Sequence, residues 1–171
     1  MKRTLFLGFV MLILFPAITL ALVLEDKVNN YRVDYPSDWS AQSTPNSTDV
    51  IKAQIIKDNQ TGLQVRIDYN RYGDWSQFVD NYIKRFIGDM QGHWQGKAAI
   101  LEKRYDTING HEVAIVSIDF LRGDSQRFFF KHYLWPHGNK VYLIQSGTPF
   151  ENRFRYEPVI DSIARSFNFI N

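Results

Sequence analysis

From Gln126 to Gly147 the chain reads QRFFFKHYLWPHGNKVYLIQSG, two strand-like arms around the turn Pro136-His137-Gly138-Asn139. Side chains alternate across a strand, so Phe128, Phe130, His132 and Leu134 share one face and Phe129, Lys131, Tyr133 and Trp135 the other. On the returning arm Val141 and Leu143 fall on one face, with Tyr142 and Ile144 opposite. Large apolar groups on both faces cannot be left in water. The hairpin is therefore expected at the centre of a sheet covered on two sides.

Such a sheet needs two apolar covers, and the sequence offers two. Trp75, Phe78, Val79, Tyr82, Ile83, Phe86, Ile87 and Met90 recur at helical spacing, which predicts a helix over Asp74–Met90. Asp74 is its expected cap, with Gln77 three residues on, and Gly88 and Gly92 its expected end. A second helix is expected over Pro158–Phe167, with Pro158 in the first turn and Val159, Ile160, Ile163, Ala164 and Phe167 inward; residues 149–154 read as a loop.

The remaining strands are expected at 30–35, 50–57, 63–69, 98–107 and 113–121. Asn109-Gly110 joins the last two, and residues 58–62 turn between the second and third. Leu63, Val65, Ile67 and Tyr69 alternate with Gln64, Arg66 and Asp68, the pattern of a strand near a sheet edge with one wet face. Strands, helix, four antiparallel strands and helix make an α+β domain, an antiparallel sheet flanked by helices in an α/β/α sandwich.

Lys2 and Arg3 precede an apolar run from Leu5 to Leu24, broken only by Gly8, Pro16 and Thr19, and Thr19-Leu20-Ala21 sets small residues before a cleavage point. Residues 1–21 are expected to be a signal peptide that engages the membrane during export. At roughly 20 residues the run is also long enough to stay as an uncleaved anchor. Both readings put residues 28–171, one domain's worth of chain, outside the cytoplasm.

Setting Lys2 and Arg3 apart from the 20 basic residues leaves 18, against 18 acidic ones. A neutral domain is a poor match for nucleic acid, and none is expected as a partner. The chain has no cysteine, hence no disulfide framework, thiol chemistry or lipid-accepting site. No Gly-x-Ser-x-Gly, His-Glu-x-x-His or glycine-rich phosphate loop occurs, so the chain reads as a non-enzyme, and no motif calls for a cofactor.

Several segments resemble the PsbP/Mog-type fold family and its bacterial and archaeal extracytoplasmic members. Tyr31-Arg32-Val33-Asp34-Tyr35-Pro36-Ser37-Asp38-Trp39 is similar to the family's opening strand ending in Pro-x-x-Trp. Asn109-Gly110 before a long strand resembles its middle hairpin, and Gly138-Asn139-Lys140-Val141-Tyr142-Leu143-Ile144 its Gly-x-x-Tyr strand. Ile163-Ala164-Arg165-Ser166-Phe167 resembles its closing helix, and in order these cover most of residues 30–167. The resemblance implies a binding or complex-assembly module, with a protein or a membrane protein complex as partner.

Two constellations are candidates for binding. Lys131, Tyr133, Trp135 and His137, at the end of the central hairpin, have the aromatic and basic make-up of an interface anchor, unless a helix covers that face. His132 and His137, with His111, Asp119 and Asp124 on neighbouring strands, offer ligand types suited to zinc or another divalent ion, while a satisfied sheet histidine and a turn histidine explain the same residues. A protein-assembly module and an extracytoplasmic small-ligand or metal binder therefore both stand.

Overall fold

The computed structural model describes residues 20–71 and 73–170. Seven strands form one antiparallel sheet in the order β3-β4-β5-β9-β8-β7-β6. They are β3 (Ser40–Ser43), β4 (Ile51–Ile56), β5 (Gly62–Tyr69), β6 (Lys97–Ile108), β7 (His111–Leu121), β8 (Arg127–His137) and β9 (Lys140–Pro149). The central hairpin is β8–β9, with Trp135 opposite Tyr142, Leu134 opposite Leu143 and His132 opposite Gln145. A smaller antiparallel sheet holds β1 (Leu20–Asp26), β2 (Tyr31–Pro36) and β10 (Asn168–Phe169), in the order β1-β2-β10.

Two helices, α1 (Trp75–Trp94) and α2 (Arg153–Ser166), supply the covers. On one face Phe78, Val79, Tyr82 and Ile83 of α1 pack on Ala114, Val116, Ile118, Leu134, Val141 and Leu143. On the other, Tyr156, Ile160, Ile163 and Ala164 of α2 join Tyr31 and Val33 of the small sheet over Ile115, Tyr133, Trp135, Tyr142 and Ile144. The fold is thus α+β with helices on both faces, and the alternation of Phe130-His132-Leu134 against Phe129-Tyr133-Trp135 is the one the sequence dictates.

Turn chemistry fixes the joints. Asn109 and Gly110 both have positive φ, 52° and 80°, as a two-residue hairpin of the mirror-image type requires. The Asn109 carboxamide also donates to the Phe167 and Arg165 carbonyls at 2.8 and 3.0 Å, so the β6–β7 turn caps the end of α2.

The structure adds strands and moves boundaries that the sequence pattern did not mark. Leu20–Asp26 forms β1, a strand hidden in the apolar leader pattern; the rest of the expected signal segment, residues 1–19, lies outside the described residues. The fully exposed β3 has no apolar alternation to betray it. Helix α1 begins at its expected cap, with Asp74 Oδ1 accepting from Gln77 N at 2.7 Å, but runs through Gly88 and Gly92. Each glycine costs about 1 kcal/mol against alanine in a helix. The extra turn brings Trp94 within 5.9 Å of Phe120 and 6.3 Å of Phe128, and it ends on left-handed Gln95. Helix α2 begins at Arg153, after a single 3₁₀ turn (Phe150–Asn152), and takes Pro158 into its interior. The carbonyl that Pro158 leaves without an N–H belongs to Phe154, which is 84% exposed, so water can satisfy it.

Candidate functional site

The early start of α2 decides the fate of the expected interface residues. Glu157 and Asp161, on the second and third turns of α2, arrive over Lys131, whose Nζ donates to Glu157 Oε1 and Asp161 Oδ2 at 2.9 Å each. Tyr133 donates its hydroxyl proton to Asp161 Oδ1 at 2.5 Å, and Arg153 Nε donates to Glu157 Oε2 at 2.8 Å. Burial alone would raise the Glu157 carboxyl, but hydrogen bonds from Arg153 and Lys131 outweigh it and hold it below the usual range. Burial and the Asp161 carboxylate push the Tyr133 hydroxyl far above its ordinary value, so it stays a donor. Two cations face two carboxylates, and the set fastens α2 to the sheet.

Lys131, Tyr133 and Trp135 are accordingly 5%, 2% and 1% exposed. Trp135 stacks on Phe167 at 4.5 Å and on Tyr133 at 5.9 Å. His137 alone is exposed, stacked on Phe169 at 4.3 Å. The four do not form a common surface, because α2 covers the first three.

Nor do the candidate metal ligands converge. Strand parity puts His132 on the α1 face and His137 on the α2 face. His111 packs edge-on against Phe169, Asp119 pairs with Arg127 and Asp124 with Arg122. Among the described residues no group of three His, Asp or Glu side chains is placed to hold an ion.

The open ground lies elsewhere. The packing of α1 reaches β6, β7, β8 and β9, and its Arg85 pairs with Asp68 near the end of β5 at 3.0 Å, leaving the same face of β3, β4 and the Gly62–Gln64 end of β5 without a helix. Here the wet residues of β5 and their neighbours line up. Gln42 pairs with Gln54, Gln54 with Gln64, Gln64 with Gln145, and Gln145 with His132. Directly paired residues share a face. Four carboxamides on adjacent strands therefore form one row that ends on a histidine. Gln54, Gln64, Gln145, His132, Asn59 and Phe130 line a concavity of about 390 Å³ beside α1. Gly147 forms part of its wall, where a Cβ would come within 2.9 Å of Phe130 Cε1; its absence lets the ring lie on the strand.

The polar groups at the inner end of this row have a defined direction. Arg66 can only donate, so the Gln145 oxygen faces its Nη1 at 2.8 Å. Gln145 Nε2 then donates to Tyr82 Oη at 2.8 Å, and Tyr82 passes its own proton to His132 Nδ1 at 2.8 Å. Burial pushes the Tyr82 hydroxyl well above its ordinary range, keeping that proton in place. The remaining proton of the neutral imidazole sits on Nε2, which is buried and has no hydrogen-bond partner among the described residues. Burial, aided by the Arg66 charge, pushes the His132 pKa down to about 3. A neutral imidazole, buried against Phe86 at 4.5 Å, thus ends the amide row.

The sequence showed Gln64 on a wet strand face but not the row. Its alignment depends on the pairing of β5 with β9, which are far apart in the chain.

No protein-family model matches the sequence, and no curated protein matches it. Solved structures do. Cyanobacterial PsbP (CyanoP) from Synechocystis sp. PCC 6803 superposes with a TM-score of 0.69 at 14% identity, over 86% of this chain and 91% of that one. The chain has the PsbP/Mog1p-type fold. The Ran-binding protein Mog1p of Saccharomyces cerevisiae aligns with a TM-score of 0.62 at 10% identity, over 88% and 95%. LpqN of Mycobacterium tuberculosis, involved in cell envelope biogenesis, aligns with a TM-score of 0.52 at 9% identity, over 82% and 83%. At these identities the PsbP/Mog1p-type likeness speaks for fold alone.

Proposed function

We propose that this protein is a non-catalytic binding module that works outside the cytoplasm, with the open α1-side face of β3, β4 and β5 as its binding face. The observation that carries the reading is the preformed row of Gln42, Gln54, Gln64 and Gln145 across four adjacent strands, on a face that α1 does not cover at β3 and β4. Ran-binding Mog1p is an instance of this fold in a protein that binds another protein, and LpqN of one with a part in envelope biogenesis. A partner docked at an envelope complex suits both the fold and the expected export signal. No described helix is long and apolar enough to cross a membrane.

The test is photocrosslinking in intact cells, with a photoreactive side chain at Gln42 or Gln54 and, for comparison, at Lys27 or Phe154. A discrete adduct from the first pair and none from the second supports the binding face. Adducts from Phe154 alone, or equal labelling at all four positions, would remove it.

A further inference from the structure

The chemistry of the amide row narrows what it binds. Of the side chains that line the concavity, only Asp58 is charged, and its Oδ1 already accepts from the N–H groups of Gln60 and Thr61 at 2.9 and 2.7 Å. Arg66 is committed to Gln145. An anionic ligand would find no Lys or Arg among these lining residues. The carboxamides of Gln42, Gln54 and Gln64 each carry a donor and an acceptor side by side, and Gln145, held by Arg66 and Tyr82, keeps one N–H; this matches hydroxyl groups, each of them both donor and acceptor.

Spacing separates the neutral candidates. Neighbouring members of the row stand about 4.8 Å apart, the distance between strands. A peptide crossing the strands rises about 3.3 Å per residue and falls out of step with the row. A saccharide chain in extended form advances by close to one strand spacing per sugar, so successive rings meet successive glutamines. Phe130, lying against Gly147, adds an apolar wall for the C–H face of a ring. At the inner end the buried ring of His132, held edge-on to Phe86 at 4.5 Å, closes the row.

We propose that Gln42, Gln54, Gln64 and Gln145 form a subsite for a neutral, polyhydroxylated ligand, a saccharide chain lying across β3, β4, β5 and β9. This rests on the open face being the binding face and names the chemistry that the face takes.

The test is a titration of ¹⁵N-labelled protein with maltotetraose, cellotetraose and the tetramer of N-acetylglucosamine, following the side-chain amide resonances of glutamine. Tetragalacturonate and tetraglycine serve as the charged and the peptide comparison. At least one neutral tetrasaccharide should shift Gln54, Gln64 and Gln145 saturably. Gln64→Leu should weaken it about tenfold, as loss of two neutral hydrogen bonds implies, with the thermal midpoint unchanged. Gln54→Ala, on a half-exposed position, gives a second readout should Gln64→Leu perturb the sheet. Binding of tetragalacturonate or tetraglycine at the row in place of the sugars overturns the proposal, as does no shift from any neutral saccharide at millimolar concentration. If photocrosslinks still arise at Gln42 and Gln54 in that event, the binding face stands and only its saccharide chemistry falls. Without crosslinks, both fall together.

Discussion

Replacing Trp135 with alanine probes how α2 covers the large sheet. The indole is 1% exposed, between Phe167 at 4.5 Å and Tyr133 at 5.9 Å. A buried tryptophan removes about 150–250 Å² from water, worth roughly 4–6 kcal/mol at about 25 cal/mol per Å². Measured truncations of large aromatic residues in cores run to about 3–5 kcal/mol. The indole N–H has no partner among the described residues, so its removal relieves a buried donor and moves the expected loss to the lower part of that range, about 3–4 kcal/mol. For a domain of this size that is a fall in Tm of about 6–16 °C. Urea denaturation gives the free energy and circular dichroism the midpoint. A loss below about 1 kcal/mol would mean that the indole meets solvent and that α2 does not lie where its Glu157 and Asp161 contacts put it.

Lys131→Met should destabilise by about 2–4 kcal/mol in the same assay, because Glu157 and Asp161 lose their shared cation; adding Glu157→Gln and Asp161→Asn should recover part of it, and no recovery would sink the ion-pair account. His132 has its folded pKa depressed to about 3 against about 6.5 unfolded, so its contribution is full above pH 6.5 and is lost as pH falls towards 3, by up to about 1.4 kcal/mol per pH unit. Between pH 7 and 4.5 the wild type should therefore lose about 2–3 kcal/mol more than His132→Gln, and parallel pH profiles would refute a buried neutral imidazole. N-terminal sequencing of exported protein should begin at or near Leu22, which keeps the pairing of Leu22–Asp26 with β2; recovery of Met1 in the membrane fraction would point to an uncleaved anchor.

The parts legible in the sequence are those set by local periodicity. Two-residue alternation in Phe128–Trp135 assigned each side chain to its face, and the stripe from Trp75 to Met90 gave α1 its buried side. The start of α2 was not legible, because a proline reads as a first-turn residue unless the carbonyl it strands is known to be in water. That shift of five residues hid Glu157 over Lys131, next to Asp161 of the expected helix, and made a core cluster look like a surface. His132 and Gln145 lie equidistant from the Gly138-Asn139 turn, as do Gln54 and Gln64 from Asn59, so each hairpin pair could be read locally. Joining the two pairs needed the β5–β9 contact, a long-range pairing that no local pattern encodes.

The claim that the open α1-side face does the binding is tested most directly by blocking it. Gln64→Arg places a bulky charge in the middle of the amide row, and Phe154→Arg places the same charge on the opposite, α2 side. Adduct yield from a photoreactive side chain at Gln42 should collapse in the first background and persist in the second, with both proteins retaining the wild-type melting midpoint. Undiminished yield with Gln64→Arg, or loss with Phe154→Arg, would contradict the assignment of the binding face.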